Sequence, residues 1–190
     1  NLQNIHLEKK MKIAWDIGNG IVGAVIDQFT QQLSKAEHIV INKEVDGTFP
    51  NHHPDPTVPE NMKQLIETVL TNSCDIGLAF DGDGDRLGVI DNKGQIIWAD
   101  QYMLLLAKEI STLYQNPKII MDVKSSKVFF EEVKKFNCEP IMFKTGHSPI
   151  KEKMKEVNSP LSGEMSGHVC YGDDFYGYDD AMYVGLRLLR

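Results

Sequence analysis

The stretch Ile76-Gly77-Leu78-Ala79-Phe80-Asp81-Gly82-Asp83-Gly84-Asp85-Arg86-Leu87-Gly88-Val89-Ile90 decides how the rest of the chain is read. An apolar run leads into three aspartates that alternate with glycines, an arginine closes them, and a second apolar run follows. The pattern predicts strand, tight loop, strand. Three carboxylates packed this closely repel one another. A hard divalent cation held by oxygen ligands is the usual compensation. The glycines allow φ > 0 turns that would bring alternate side chains to one point. Asp81, Asp83 and Asp85 are therefore the candidate metal ligands. A solvated hairpin turn is the bland alternative. An EF-hand loop is a decoy, because it needs Gly at its sixth position and Glu at its twelfth. Counted from Asp81, those positions hold Arg86 and Asn92.

Upstream of this stretch, Lys12–Ile17 reads as a buried strand and His38–Asn42 as a second strand. Ile21–Leu33 reads as a helix weakened by Gly23. Residues 1–11 read as the remnant of a connecting helix, and Asp46–Pro59 as a proline-rich loop. In Pro59–Asn72, the residues Met62, Leu65, Ile66, Val69 and Leu70 form one apolar stripe at helical spacing, with proline at the first turn.

Downstream, Gln95–Ala99, Lys118–Val123 and Glu139–Phe143 read as strands. Between and after them, Asp100 is expected to cap a helix carrying Met103–Tyr114, and Ser125 or Ser126 to cap one carrying Phe129, Val133 and Phe136. Ser148–Val157 is a further helix. Two short strands surround Gly163–Gly172, and Asp179 or Asp180 caps a last helix. Strands alternating with helices predict an α/β protein of two consecutive small domains, each a parallel or mixed sheet of about four strands flanked by helices. The expected domains are residues 1–94 and 95–190.

Composition sets outer bounds. The 190 residues are 42% hydrophobic and 25% charged, with a formal net charge of −7. That balance argues against nucleic-acid and anionic-membrane partners. No apolar run approaches the roughly 18 residues of a membrane span. Cys74, Cys138 and Cys170 are odd in number and form no CxxC pair, which fits a reduced, cytoplasmic setting. The chain starts at Asn1 and stops in an apolar stretch at Arg190, so it is expected to be a fragment.

Ligands in open α/β sheets bind beyond the carboxyl ends of strands. Asp81, Lys124 and Thr145-Gly146-His147 each follow a predicted strand closely, and Gly163-Glu164-Met165-Ser166-Gly167-His168 lies between two short ones. Taken alone, Lys124 reads as a surface lysine and His147 equally as a helix cap. Glu164, Ser166 and His168 alternate, so on a strand they would share one face and suit the hydroxyls of a polyol. An exposed edge strand is the alternative. His52-His53 has no third ligand nearby and reads as part of a structural loop.

Seven motifs converge on one family. They are Asp16-Ile17-Gly18-Asn19-Gly20, Phe49-Pro50-Asn51-His52-His53-Pro54-Asp55-Pro56, Asp81–Arg86, Asp122-Val123-Lys124-Ser125-Ser126, Lys144-Thr145-Gly146-His147-Ser148, Gly163–His168 and Phe175-Tyr176-Gly177-Tyr178-Asp179-Asp180. In this order they resemble the second and third of the four domains of an α-D-phosphohexomutase, the phosphomannomutase/phosphoglucomutase kind.

The resemblance implies that Asp81, Asp83 and Asp85 bind Mg²⁺. It implies that Arg86, Lys124 and His147 serve phosphoryl transfer, and that Glu164, Ser166 and His168 bind the sugar. It implies hexose 1-phosphate, hexose 6-phosphate and hexose 1,6-bisphosphate as partners. The phosphorylatable serine would lie in a first domain, and a further phosphate-binding loop in a fourth, neither within this sequence. By itself the chain is then expected to be inactive. Two readings compete: a self-contained Mg²⁺ phosphatase with Asp81 as nucleophile, and a non-catalytic module for metal or sugar phosphate.

Overall fold

Two mixed sheets share one wiring plan. The computed structural model describes residues 9–190. Strands β1 (Lys12–Asp16), β2 (Glu37–Ile41), β3 (Ile76–Phe80), β4 (Leu87–Asp91) and β5 (Ile96–Ile97) form a sheet in the order β2-β1-β3-β4-β5. β1 runs parallel to β2 and β3, while β4 runs antiparallel to β3 and β5. Strands β6 (Lys118–Asp122), β7 (Glu139–Phe143), β8 (Leu161–Gly163) and β9 (Val169–Tyr171) form the second sheet in the order β7-β6-β8-β9. β6 is parallel to β7 and β8, and β9 is antiparallel to β8. The second sheet therefore repeats the order and directions of the first four strands of the first. Its β8–β9 hairpin, with Glu164–His168 at the tip, corresponds to the β3–β4 hairpin that carries Asp81–Arg86.

The helices are α1 (Ile26–Gln32), α2 (Lys63–Thr71), α3 (Ala99–Leu113), α4 (Lys127–Glu132), α5 (His147–Val157) and α6 (Ala181–Leu189). Periodicity explains their packing. On α3, Tyr102, Met103, Leu106, Ala107 and Ile110 fall on one buried face. On α2, Leu65 and Val69 are buried against β1 and β3, where Ala14 and Ala79 lie in the same small cluster.

A single apolar core joins the two halves. Trp15, Phe80 and Leu87 of the first sheet share it with Tyr102, Leu106, Ile119, Leu161 and Leu186. Each fully buried large side chain contributes roughly 1.5–3 kcal/mol. Helices α3 and α6 both touch β4, so the second half packs its helices on the first sheet. The Tyr102 hydroxyl donates to the Leu87 carbonyl at 3.1 Å, tying α3 to the start of β4.

Several expectations are corrected in detail. Ile21–Leu33 is not one helix: a 3-10 turn (Ile21–Ala24) precedes α1, with Val25 at the junction. At Gly23 an added Cβ would lie 2.1 Å from the Lys43 carbonyl, so the chain is pressed against the loop after β2 at this point. Asp100 does not cap α3. Trp98 holds that position, with the Gln101 side chain accepting from its N–H, and Asp100 in the first turn accepts from the Ser126 N–H at 3.0 Å. Ser126 and Asp180 do cap α4 and α6. Most of the expected helix over residues 1–11 lies outside the described residues, and Lys9–Met11 is not helical. No described helix is long and apolar enough to cross a membrane. All three cysteines are free and buried.

Candidate functional site

The acidic loop is built around Asp81, which is 1% exposed. Its Oδ1 accepts the backbone N–H groups of Gly84, Asp85 and Arg86 at 3.0–3.1 Å. Its Oδ2 accepts from Arg86 Nε at 2.5 Å. One carboxylate thus folds the loop into a ring. Gly84 takes φ +77° within it, while Gly82 is not among the positive-φ glycines. The expectation of φ > 0 holds for one glycine of the two. Gly82 serves instead as contact: the loop after β1 presses on it, leaving only 2.7 Å between its carbonyl oxygen and a Cβ placed on Gly20.

Asp81, Asp83 and Asp85 each bring a carboxylate oxygen to within 4.8 Å of the others. Asp83 is exposed and Asp85 half-buried. Burial pushes the Asp85 carboxyl up to about 6 despite the opposing pull of His168, with Asp81 and Asp83 adding to the rise. Arg86 compensates Asp81 and His168 faces Asp85, while Asp83 has no ion pair among the described residues, and three convergent carboxylates fit a hard, oxygen-seeking dication. Arg86 also reaches Asp55 through Nη1 at 3.1 Å, so it spans two carboxylates.

The tip of the second hairpin meets this loop. Arg86 and His168 form an antiparallel backbone bridge, and the Leu87 N–H donates to the Gly167 carbonyl at 3.2 Å. His168 Nε2 lies 3.2 Å from Asp85 Oδ1, and its Nδ1 lies 3.1 Å from Glu164 Oε2 and 2.9 Å from Ser166 Oγ. Burial works against a charge on His168, yet the Glu164 hydrogen bond and the charge of Asp85 raise its pKa.

Glu164, Ser166 and His168 do converge, but not as alternate residues of one strand. Glu164–His168 is a turn closed by Gly167 N–H to the Glu164 carbonyl, with Gly167 at φ +97°. Glu164 Oε1 accepts from the Gly146 N–H at 2.6 Å. Its pKa is held down by His168 and Gly146, although burial acts the other way.

His147 opens α5 and stacks on His168, ring centroids 5.7 Å apart at 19°. It also lies 3.4 Å from Asp179. Lys124 is exposed on the loop after β6 and makes no hydrogen bond or ion pair among the described residues. The structure therefore links every predicted site residue except Lys124 and Asp83 by direct contacts, and Asp83 lies beside them with its carboxylate within 4.8 Å of those of Asp81 and Asp85.

Four carboxylates that shape the site or the loops around it escaped selection. Asp122, fully buried at the end of β6, accepts from the Ser125 hydroxyl, the Thr145 hydroxyl and the Met165 N–H, latching three loops together. Its counterpart at the end of β1, Asp16, accepts from Gly18, Asn42 and His52. Asp179 groups with Asp85 and His168 and pairs with Lys151. Asp55 holds Arg86. The sequence signal for Asp16 and Asp122 was an aspartate ending an apolar strand. Asp55 and Asp179 carried no signal beyond their motifs.

Two α/β units thus pair their third-to-fourth-strand loops over a carboxylate cluster, as a two-domain α/β segment. The chain belongs to the phosphoglucomutase/phosphomannomutase family. Its residues 2–94 match the family's alpha/beta/alpha domain II and residues 98–190 its alpha/beta/alpha domain III. It is 46% identical over 187 residues to a phosphomannomutase/phosphoglucomutase of Pseudomonas aeruginosa strain PAO1, covering 98% of this chain and 40% of that protein. Over 187 residues it is 44% identical to a phosphoglucomutase of Neisseria meningitidis serogroup A, with the same coverage of both. It superposes on the crystal structure of a phosphoglucomutase/phosphomannomutase family protein from Burkholderia thailandensis with a TM-score of 0.95. That pair is 43% identical, and the match covers 99% of this chain and 41% of that one. The chain spans about 40% of the length of the curated relatives it matches.

Proposed function

We propose that this chain is the metal-binding and sugar-binding part of a Mg²⁺-dependent phosphohexomutase that moves a phosphoryl group between the 1 and 6 positions of a hexose phosphate. The observation that carries this reading is His168 standing between Asp85 and Glu164, which puts the carboxylate loop and the polar turn in one site.

In this reading Asp81, Asp83 and Asp85 hold Mg²⁺. The ion, when bound, supplies positive charge against the negative charge that develops during phosphoryl transfer. Arg86, fixed between Asp81 and Asp55, presents a guanidinium of set orientation to the phosphoryl group. Lys124 brings a mobile cation on an exposed loop. His147, stacked on His168, serves proton transfer to and from the sugar oxygen. Glu164 and Ser166 accept sugar hydroxyls. Each oxygen of Glu164 is already bonded once and keeps a lone pair for a substrate donor.

Hexose 1-phosphate and hexose 6-phosphate are the proposed substrates and hexose 1,6-bisphosphate the intermediate. The phosphoryl-carrying serine and the remaining phosphate contacts come from the other domains of the parent protein. We place the division between the two domains near residue 94. Support comes from the family match that ends there, although the edge strand β5 reaches past it. The cytoplasm is the proposed location.

The phosphatase alternative leaves the Glu164–His168 turn, which His168 ties to the carboxylate loop, without a role. The test is turnover of glucose 1-phosphate and mannose 1-phosphate. The parent protein is expected to form the 6-phosphates with Mg²⁺, and the 190-residue chain alone to form none. Release of inorganic phosphate by the chain would overturn the reading.

A further inference from the structure

A cavity of about 630 Å³ lies beyond the ends of β6 and α5 that face away from the carboxylate loop. Its wall carries Lys118, Lys151 and Lys155, with Phe175 and Tyr176 from the loop after β9. The chain as a whole bears a net charge of −7, so three lysines around one hollow run against its composition. Lys118 and Lys155 have no ion-pair partner among the described residues. The one carboxylate on the wall, that of Asp173, has its side chain 2% exposed and is spent on Arg187 at 3.3 Å. Tyr176 is 83% exposed and stacks its ring on Tyr178, centroids 5.9 Å apart at 9°. The hollow thus offers unpaired ammonium groups beside an aromatic face held open to solvent.

Lys151 lies midway along α5, between the cavity and the His147 end of the helix. It lines this cavity and also pairs with Asp179 and contacts His147 Nδ1 at 3.4 Å. The second oxygen of Asp179 is buried and lacks a hydrogen bond among the described residues. Asp179 therefore depends on Lys151 for its strongest compensation. An anion that draws on Lys151 changes the charge balance around Asp179, which sits beside Asp85 and His168.

We propose that this cavity is a second binding site, for an organic phosphate. The phosphate is held by Lys118, Lys151 and Lys155, the organic part lies against Tyr176, and occupancy is relayed to the His147–Asp179 pair through Lys151. Such a site would let a phosphorylated metabolite other than the substrate tune the hydroxyl-reading turn.

The probes are phenyl phosphate, inorganic phosphate and phenol, titrated into the isotope-labelled chain and followed by amide resonances. Phenyl phosphate is expected to bind saturably and shift Lys155, Asn158 and Gly172, together with His147 and Asp179. Inorganic phosphate is expected to bind at least tenfold more weakly, and phenol not at all. The double variant Lys118→Gln/Lys155→Gln is expected to weaken phenyl phosphate at least tenfold with unchanged thermal unfolding. Tyr176→Ala is expected to bring phenyl phosphate to the affinity of inorganic phosphate. Equal affinity in wild type and the double variant, or shifts confined to Lys124–Ser126 and Thr145–His147, would overturn the site. Shifts at the cavity without any at His147 and Asp179 would overturn the relay.

Discussion

His168 and Asp85 come from the two halves of the chain and meet at 3.2 Å, each at the tip of the equivalent hairpin of its sheet. The contact is reinforced by the backbone bridge between Arg86 and His168 and by Tyr102, whose hydroxyl reaches the Leu87 and Gly167 carbonyls. It makes the carboxylate loop and the Glu164–His168 turn one unit. Removing it has a definite cost: His168→Ala leaves Glu164 with one bond fewer while still 4% exposed. Loss of a partner by a buried polar group costs about 1–3 kcal/mol. Urea unfolding of the chain is expected to show a loss in that range, and Glu164→Gln combined with His168→Ala less than the sum of the two single changes.

Metal binding is expected to depend both on the number of carboxylates and on the loop that holds them in place. Asp83 is the exposed member of the three and supports no loop hydrogen bond among the described residues. Asp83→Asn is expected to leave unfolding unchanged and to weaken Mg²⁺ at least tenfold, about 1.4 kcal/mol, by calorimetry. Asp81→Asn is expected to lose both metal affinity and stability, because the same carboxylate closes the loop.

Gly20 reports on the loop from outside it. A Cβ there would lie 2.7 Å from the Gly82 carbonyl and 2.9 Å from that of Asp81, both backbone atoms that have nowhere to turn. Gly20→Ala is expected to destabilise the chain by about 1–3 kcal/mol and to weaken Mg²⁺ without altering any carboxylate. Thermal unfolding and calorimetry on the same sample check both effects.

The His52–Asp16 pair gives the fold a pH dependence. The Asp16 hydrogen bond at 2.9 Å raises the His52 pKa above its ordinary value, against the effect of burial. A raised folded-state pKa stabilises most fully below the unfolded value, near 6.5, and loses that contribution as pH rises through the folded value. The stability advantage of wild type over His52→Asn is therefore expected to be largest in mildly acid solution and to shrink as the pH is raised. Unfolding midpoints measured across that interval test the sign.

Much of this molecule was legible in the chain. Apolar runs placed most strands, because buried strands in mixed sheets read as continuous hydrophobic segments. The carboxylate loop was legible because alternating aspartates and glycines have few other uses. What stayed hidden came from tertiary contact. Ile21–Leu33 has helical composition, but its first turn, where Gly23 is pressed against the Lys43 carbonyl, is 3-10 and not α. Asp100 looks like a cap, yet its carboxylate serves the loop after β6. The alternation of Glu164, Ser166 and His168 pointed to the right residues through the wrong geometry, since a turn and not a strand brings them together. Asp122 and Asp55 act through partners 23 and 31 positions away, and no local pattern reports such pairs.

Phosphoryl transfer between sugar oxygens is the role proposed for these carboxylates. Asp83→Asn in the parent protein, assayed for conversion of glucose 1-phosphate to glucose 6-phosphate over a range of Mg²⁺ concentrations, tests it most directly. The account predicts a fall in kcat of at least a hundredfold, about 2.7 kcal/mol, with a raised Mg²⁺ requirement. An unchanged kcat with normal Mg²⁺ dependence would contradict it.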